Sequence, residues 1–167
     1  MDASSAQLID AALADFVRRE VSITVATSDD ARTPHLARGT GCRVAADHRQ
    51  LTVLLAAPAS ADVLADVRRN ARIAVVFSLP QTHRTVQFKG NDAVITAVEA
   101  SDAVLAARYV DRFAAGLEAL GYSGAVIRSV LHADAGDLVA VHFTPTFASV
   151  QTPGPEEIGR ASCRERV

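Results

Sequence analysis

Hydrophobic positions recur at two spacings along this chain, and the switch between them separates strands from helices. From residue 21 to 27 apolar and polar positions alternate, with Val21, Ile23 and Val25 against Ser22 and Thr24, which is the period of a strand buried on one face. Upstream, residues 4–19 carry Leu8, Ile9, Ala12, Leu13, Phe16 and Val17 at helical spacing, predicting an amphipathic N-terminal helix. A polar turn at residues 28–34 leads to a second strand at 35–44. A further turn leads to a third at 51–55. Ser60 is placed to cap a helix running to Asn70, with Asp62 in its first turn, Arg68 and Arg69 in its last, and Val63, Leu64 and Val67 on its buried side.

Residues 73–77 form an unbroken apolar run of strand length, and residues 84–98 read as one long strand or two, bent at Gly90. Leu105, Tyr109, Phe113 and Leu117 recur every fourth residue in a helix opened by Ser101 and stopped by Gly121. A shorter helix at 123–131 and a last strand from Leu138 through Phe143, Phe147 and Val150 complete the pattern. The first three strands are joined by turns too short for parallel crossovers. The expected fold is therefore α+β: a mostly antiparallel six-stranded β-barrel with flanking helices, in one domain spanning residues 1–156.

Composition narrows the function classes. Nearly half of the 167 residues are hydrophobic, 22% are charged and the net charge is -2, which suits a globular domain and not a nucleic-acid binder. The apolar run at 73–77 falls far short of the roughly 20 residues of a membrane span, so a cytoplasmic protein is expected. Cys42 and Cys163 lack any CxxC or Cys/His grouping, and the five histidines show no metal-ligand spacing, so no metal site is expected. Residues 157–167 break with the alanine- and valine-rich body and resemble the translation of a DNA-sequencing adapter. They are expected to be a non-native tail outside the fold.

The candidate chemistry lies on the second strand and beyond. Gly39-Thr-Gly41 precedes a strand and not a helix, which indicates a bulge or a close strand approach and not a dinucleotide fingerprint. Arg38 and Arg43, with Ser60 at a helix start, offer guanidinium groups and backbone donors of the kind that bind a phosphate monoester. Outward-facing surface arginines are the plainer alternative. Alternation from Arg84 sets Thr85, Gln87 and Lys89 on one polar strand face.

The order of these pieces is similar to that of the pyridoxamine 5'-phosphate oxidase-like, FMN-binding split-barrel family. It comprises a strand with arginine, a tight turn, an apolar strand ending at a serine loop, a helix closing on Arg69-Asn-Ala-Arg72, the strand at 73–77, and Arg84-Thr-Val-Gln-Phe-Lys-Gly90. The resemblance covers roughly residues 16–97. It implies a split barrel and a homodimer with FMN, or a deazaflavin, at its interface. The phosphate would be held by second-strand arginine and the Ser60 loop, with Arg84, Thr85 and Gln87 near the ring or ribityl chain. It also implies an oxidoreductase acting on a small-molecule substrate. Ala61 and Asp62 stand where the family carries arginine and lysine, removing a main phosphate anchor. The chain has no tryptophan and no C-terminal basic motif, so a true pyridoxamine phosphate oxidase is not expected. A flavin- or haem-binding protein without turnover, and a structural dimer without ligand, are the alternative readings.

Overall fold

The computed structural model describes residues 8–152, so the tail and the first residues of the predicted N-terminal helix lie outside it. Within it, α1 is Ala11–Val17, opened by the Asp10 carboxylate, which accepts from the Leu13 amide at 2.7 Å. Leu8 and Ile9, expected inside the helix, precede that cap. The strands are β1 (Ser22–Ser28), β2 (Pro34–Val44), β3 (Leu51–Ala56), β4 (Ile73–Ser78), β5 (Thr85–Gly90), β6 (Val94–Thr96), β7 (Leu138–Phe143) and β8 (Phe147–Val150). The remaining helices are α2 (Ala61–Asn70), α3 (Asp102–Glu118) and α4 (Gly124–Leu131).

The α+β class holds, with each neighbouring pair of strands antiparallel, but eight strands form the sheet where six were expected, in the order β6-β7-β3-β2-β1-β4-β5-β8. The difference arises where two long runs break. Residues 91–93 separate β5 from β6, and residues 144–146 separate β7 from β8. The Asp92 carboxylate accepts from the Thr144 amide at 2.8 Å, so the two interruptions are fastened to each other. The strand order is open, with β6 and β8 at its ends.

Alternation sorts the core. Ile23, Val25, Val75, Phe77, Val86 and Phe88 point inward from β1, β4 and β5, and Val53, Val141 and Phe143 join them from β3 and β7. Phe77 and Phe88 meet edge to face with ring centres 6.0 Å apart, a favoured aromatic geometry. On the other side of β3, Leu54 and Ala140 pack against Ala106 of α3.

The bulge expected at Gly39-Thr-Gly41 is present. The β2–β3 register slips between Gly39 and Gly41. Close approach constrains Gly39 more than Gly41: a β-carbon on Gly39 would stand 2.5 Å from Ile23 Cγ2 and 2.9 Å from its Cβ, whereas one on Gly41 would stand 2.7 Å from Leu105 Cδ2, the end of a flexible side chain. Beyond the slip the inward-facing parity of β2 changes. Ala37 is buried before it, and Cys42 and Val44 after it.

Candidate functional site

Register partners across β2, β1, β4, β5 and β8 line up Arg38, Thr24, Val76, Gln87 and Ser149 in one row on the outer face of the sheet. Thr85 lies one row along, beside Ser78, and their hydroxyls share a hydrogen bond of 2.8 Å. Three of the six candidates, Arg38, Thr85 and Gln87, thus share one face. The Arg38 guanidinium is exposed and donates to Thr24 Oγ1 at 3.1 Å, with no carboxylate partner among the described residues. Gln87 Oε1 accepts from Gln151 Nε2 at 3.0 Å, and the Thr85 amide donates to Thr152 Oγ1 at the same distance.

Arg38 also walls a cleft of about 340 Å³ with Thr24, Thr40, Ala59, Leu131 and His132. Ala59 belongs to the 3-10 turn Pro58–Ser60 that leads into α2, so the row of polar side chains ends beside that helix start. Ser60 is buried at the N-cap position of α2, yet its hydroxyl makes no capping bond. Asp62, in the first turn, matches the helix dipole and sets a negative charge where an anion would otherwise be favoured.

The other two arginines have different surroundings. Arg43 donates from Nε and Nη2 to the two carboxylate oxygens of Asp102 at 3.0 and 3.3 Å, and its Nη1 meets Glu99 at 2.7 Å. Asp102 is fully buried and also accepts from the Glu99 amide at 2.8 Å, so this cation ties β2 to the start of α3. Arg84 lies over the Phe16 ring, 4.5 Å from its centre, joining the β4–β5 hairpin to α1. Arg38, Arg43, Ser60 and Arg84 are therefore not gathered around one point.

A polar cluster that the sequence analysis did not single out links α2 to β1 and β2. Asp66 is buried, and its Oδ2 accepts from Thr27 Oγ1 at 2.8 Å and meets His35 Nδ1 at 2.7 Å. Burial raises the Asp66 carboxyl, but the bonds from His35 and Thr27 and the charges of His35 and Arg69 outweigh it and hold the group below its ordinary range. The same hydrogen bond, then the Asp66 charge, raises His35 against a smaller opposing effect of burial. The available signal was Asp66 at helical spacing on the buried side of α2, between Val63 and Val67. Cys42 offers no nucleophile, because burial pushes its thiol up to about 12.

No family model matches the chain, and no curated protein matches it significantly in sequence. Solved structures do match. A putative pyridoxamine 5'-phosphate oxidase from Lactobacillus delbrueckii superposes with a TM-score of 0.55 at 13% identity, over 89% of this chain and 99% of its own. HupZ from Group A Streptococcus gives 0.55 at 14% identity, over 88% and 97%. An F420 reductase gives 0.52 at 17%, over 81% and 94%. This chain has the pyridoxamine 5'-phosphate oxidase-like fold.

Within the pyridoxamine 5'-phosphate oxidase-like fold, the outer row from Arg38 to Ser149 adjoins the cleft that Arg38 walls. No described helix is long and apolar enough to cross a membrane.

Proposed function

We propose that this chain binds a flavin-type cofactor, FMN or a deazaflavin, along the outer row and serves as an oxidoreductase for a small-molecule substrate. The observation that carries the reading is the juxtaposition of Arg38, Thr24 and Gln87 on one sheet face with the cleft at the start of α2. Bound there, such a cofactor would supply hydride transfer. The residues present fit its phosphate end, because the Arg38 guanidinium, bonded only to a hydroxyl, keeps donors for a bidentate contact. Thr24 and Val76 leave a low platform between Arg38 and Gln87 against which a flat ring packs without displacing a bulky side chain. The cleft of about 340 Å³ takes only part of a flavin nucleotide, so the ring lies over the open strands.

The reading includes a six-strand split barrel, in which β5 with β6 and β7 with β8 each act as one bent strand. It is supported by the pairing of β5 with β8 and of β6 with β7 on either side of the two interruptions. It also includes a twofold homodimer. Leu36 and Phe147 are 69% and 46% exposed at the two ends of the next row, where a second copy would remove both from water and complete the cofactor's enclosure.

Asp62 favours a second reading, a split-barrel protein that binds flavin or haem without turnover, or a dimer that binds neither. The visible absorption spectrum of the purified protein separates these readings, because flavin, deazaflavin and haem absorb differently. A flavin or deazaflavin band, restored by adding cofactor to stripped protein, is expected. A haem band, or no binding of FMN or deazaflavin at millimolar concentration, would overturn the first reading.

A further inference from the structure

A second cleft, of about 250 Å³, opens where the end of α1 and the entry to β1 face α3. Five arginines line it, Arg18, Arg19, Arg43, Arg108 and Arg112, against a single carboxylate, Glu20. The carboxylates nearby are already engaged. Glu20 pairs with Arg112, Asp15 lies 3.7 Å from Arg18, and Asp102 and Glu99 hold Arg43. Arg19 and Arg108 are exposed, and neither side chain has an ion pair or hydrogen bond among the described residues. Two guanidinium groups outside any ion pair, with Arg19 sharing the field of the Glu20 carboxylate that Arg112 already holds, thus border a space lined also by Val17, Val44 and Leu105.

Five arginines against one carboxylate in the cleft leave an excess of positive charge, and an anion with two charges relieves it through the fork geometry of each guanidinium. We propose that this cleft binds a compact organic phosphate monoester, with the phosphate between Arg19 and Arg108 and its apolar body on Val17, Val44 and Leu105. The Tyr109 hydroxyl does not compete for the anion, because it donates to the Val21 carbonyl at 2.8 Å. Glu20 limits the length of the ligand, because a second anionic group at the far side would meet its carboxylate.

Phenyl phosphate is a suitable probe, with inorganic phosphate and phenol as its separated halves, followed by amide chemical shifts at low ionic strength. Shifts clustered at Val17, Val44 and Arg108, with phenyl phosphate binding more tightly than either half, are expected. Arg19→Ala and Arg108→Ala should each weaken it by about fivefold, the scale of one exposed charged contact, and added salt should weaken it further. Arg49→Ala makes the same change of net charge elsewhere, and Arg38→Ala alters the proposed cofactor face. Neither should change the affinity. Unchanged binding by the Arg19→Ala/Arg108→Ala double variant, inorganic phosphate or phenol binding as tightly as phenyl phosphate, or loss of binding in Arg38→Ala would each overturn the proposal.

Discussion

Arg43 clasps the fully buried carboxylate of Asp102 through two nitrogens, at 3.0 and 3.3 Å, and so fixes the first turn of α3 to the second half of β2. Removing the cation leaves a buried negative charge with only the Glu99 amide and the cost of desolvation. Arg43→Ala should destabilise the fold by about 3 kcal/mol in urea unfolding, the lower part of the range because the arginine is itself partly exposed. Arg38→Ala removes a side chain bonded only to Thr24 and should cost under about 1 kcal/mol. Equal losses would show that the two cations are not divided between structure and ligand.

The ligand arm of the same contrast uses FMN and riboflavin, which differ by the phosphate. Arg38→Ala should weaken FMN by roughly 30-fold if its contact becomes enclosed in the dimer, and leave riboflavin unchanged. Asp62→Lys, which replaces a negative charge at the start of α2 with a donor, should tighten FMN and leave riboflavin flat. Fluorescence quenching reads both. Parallel changes for the two ligands would place the phosphate elsewhere.

Stability should depend on pH through His35 and Asp66. His35 is raised from 6.5, so its contribution is complete below 6.5 and is lost as pH rises through the raised value. Asp66 is lowered from 3.8, so its contribution is complete above 3.8 and is lost as pH falls through the lowered value. The pair should therefore contribute most between 3.8 and 6.5. Melting temperatures across pH should show His35→Gln flattening the alkaline decline and Asp66→Asn flattening the acid one. Wild-type slopes in both variants would mean that other groups set the profile.

Ala71 ends α2 in the left-handed region with φ 56°, and its amide bonds back to the Val67 carbonyl at 3.0 Å. That conformation costs a side-chain-bearing residue about 1 kcal/mol, which glycine avoids. Ala71→Gly should raise the melting temperature by about 2–4 °C, whereas glycine in most helix positions lowers it.

Most of the fold was legible because burial follows local periodicity. The alternation of Val21, Ile23 and Val25, the bend after Gly90 and the stop at Gly121, whose φ is 90°, all match the sequence reading. The strand count was not legible, because Phe143 and Phe147 continue one apolar pattern across residues whose backbone leaves the ladder. Ser101 lies before α3 without a capping side-chain bond, whereas Asp102, the next residue, fastens the loop. Arg38 and Arg43 looked equivalent because what distinguishes them is Asp102, 59 residues downstream of Arg43. Sequence spacing does not reveal a partner that distant.

The exposed Leu36 and Phe147 give the dimer its own test. Leu36→Asp should release single chains in light scattering at micromolar concentration while leaving the melting curve nearly unchanged, because the side chain is 69% exposed in one chain. Wild type eluting with one chain's mass would remove the proposed interface.

The slip at Gly39-Thr-Gly41 acts on β2 like a frame shift in side-chain orientation. Arg38 and Arg43 are an odd number of residues apart, and a regular strand would send them to opposite faces. The extra residue brings both outward, one onto the open strands and the other beneath α3. Deleting Thr40 would remove that phase correction, driving either Arg43 into the space of Cys42 and Val44 or Arg38 into that of Ala37. A single missing codon there should be far more damaging than the loss of Ala31, which lies in the turn at residues 28–34 and outside the paired residues of β1 and β2.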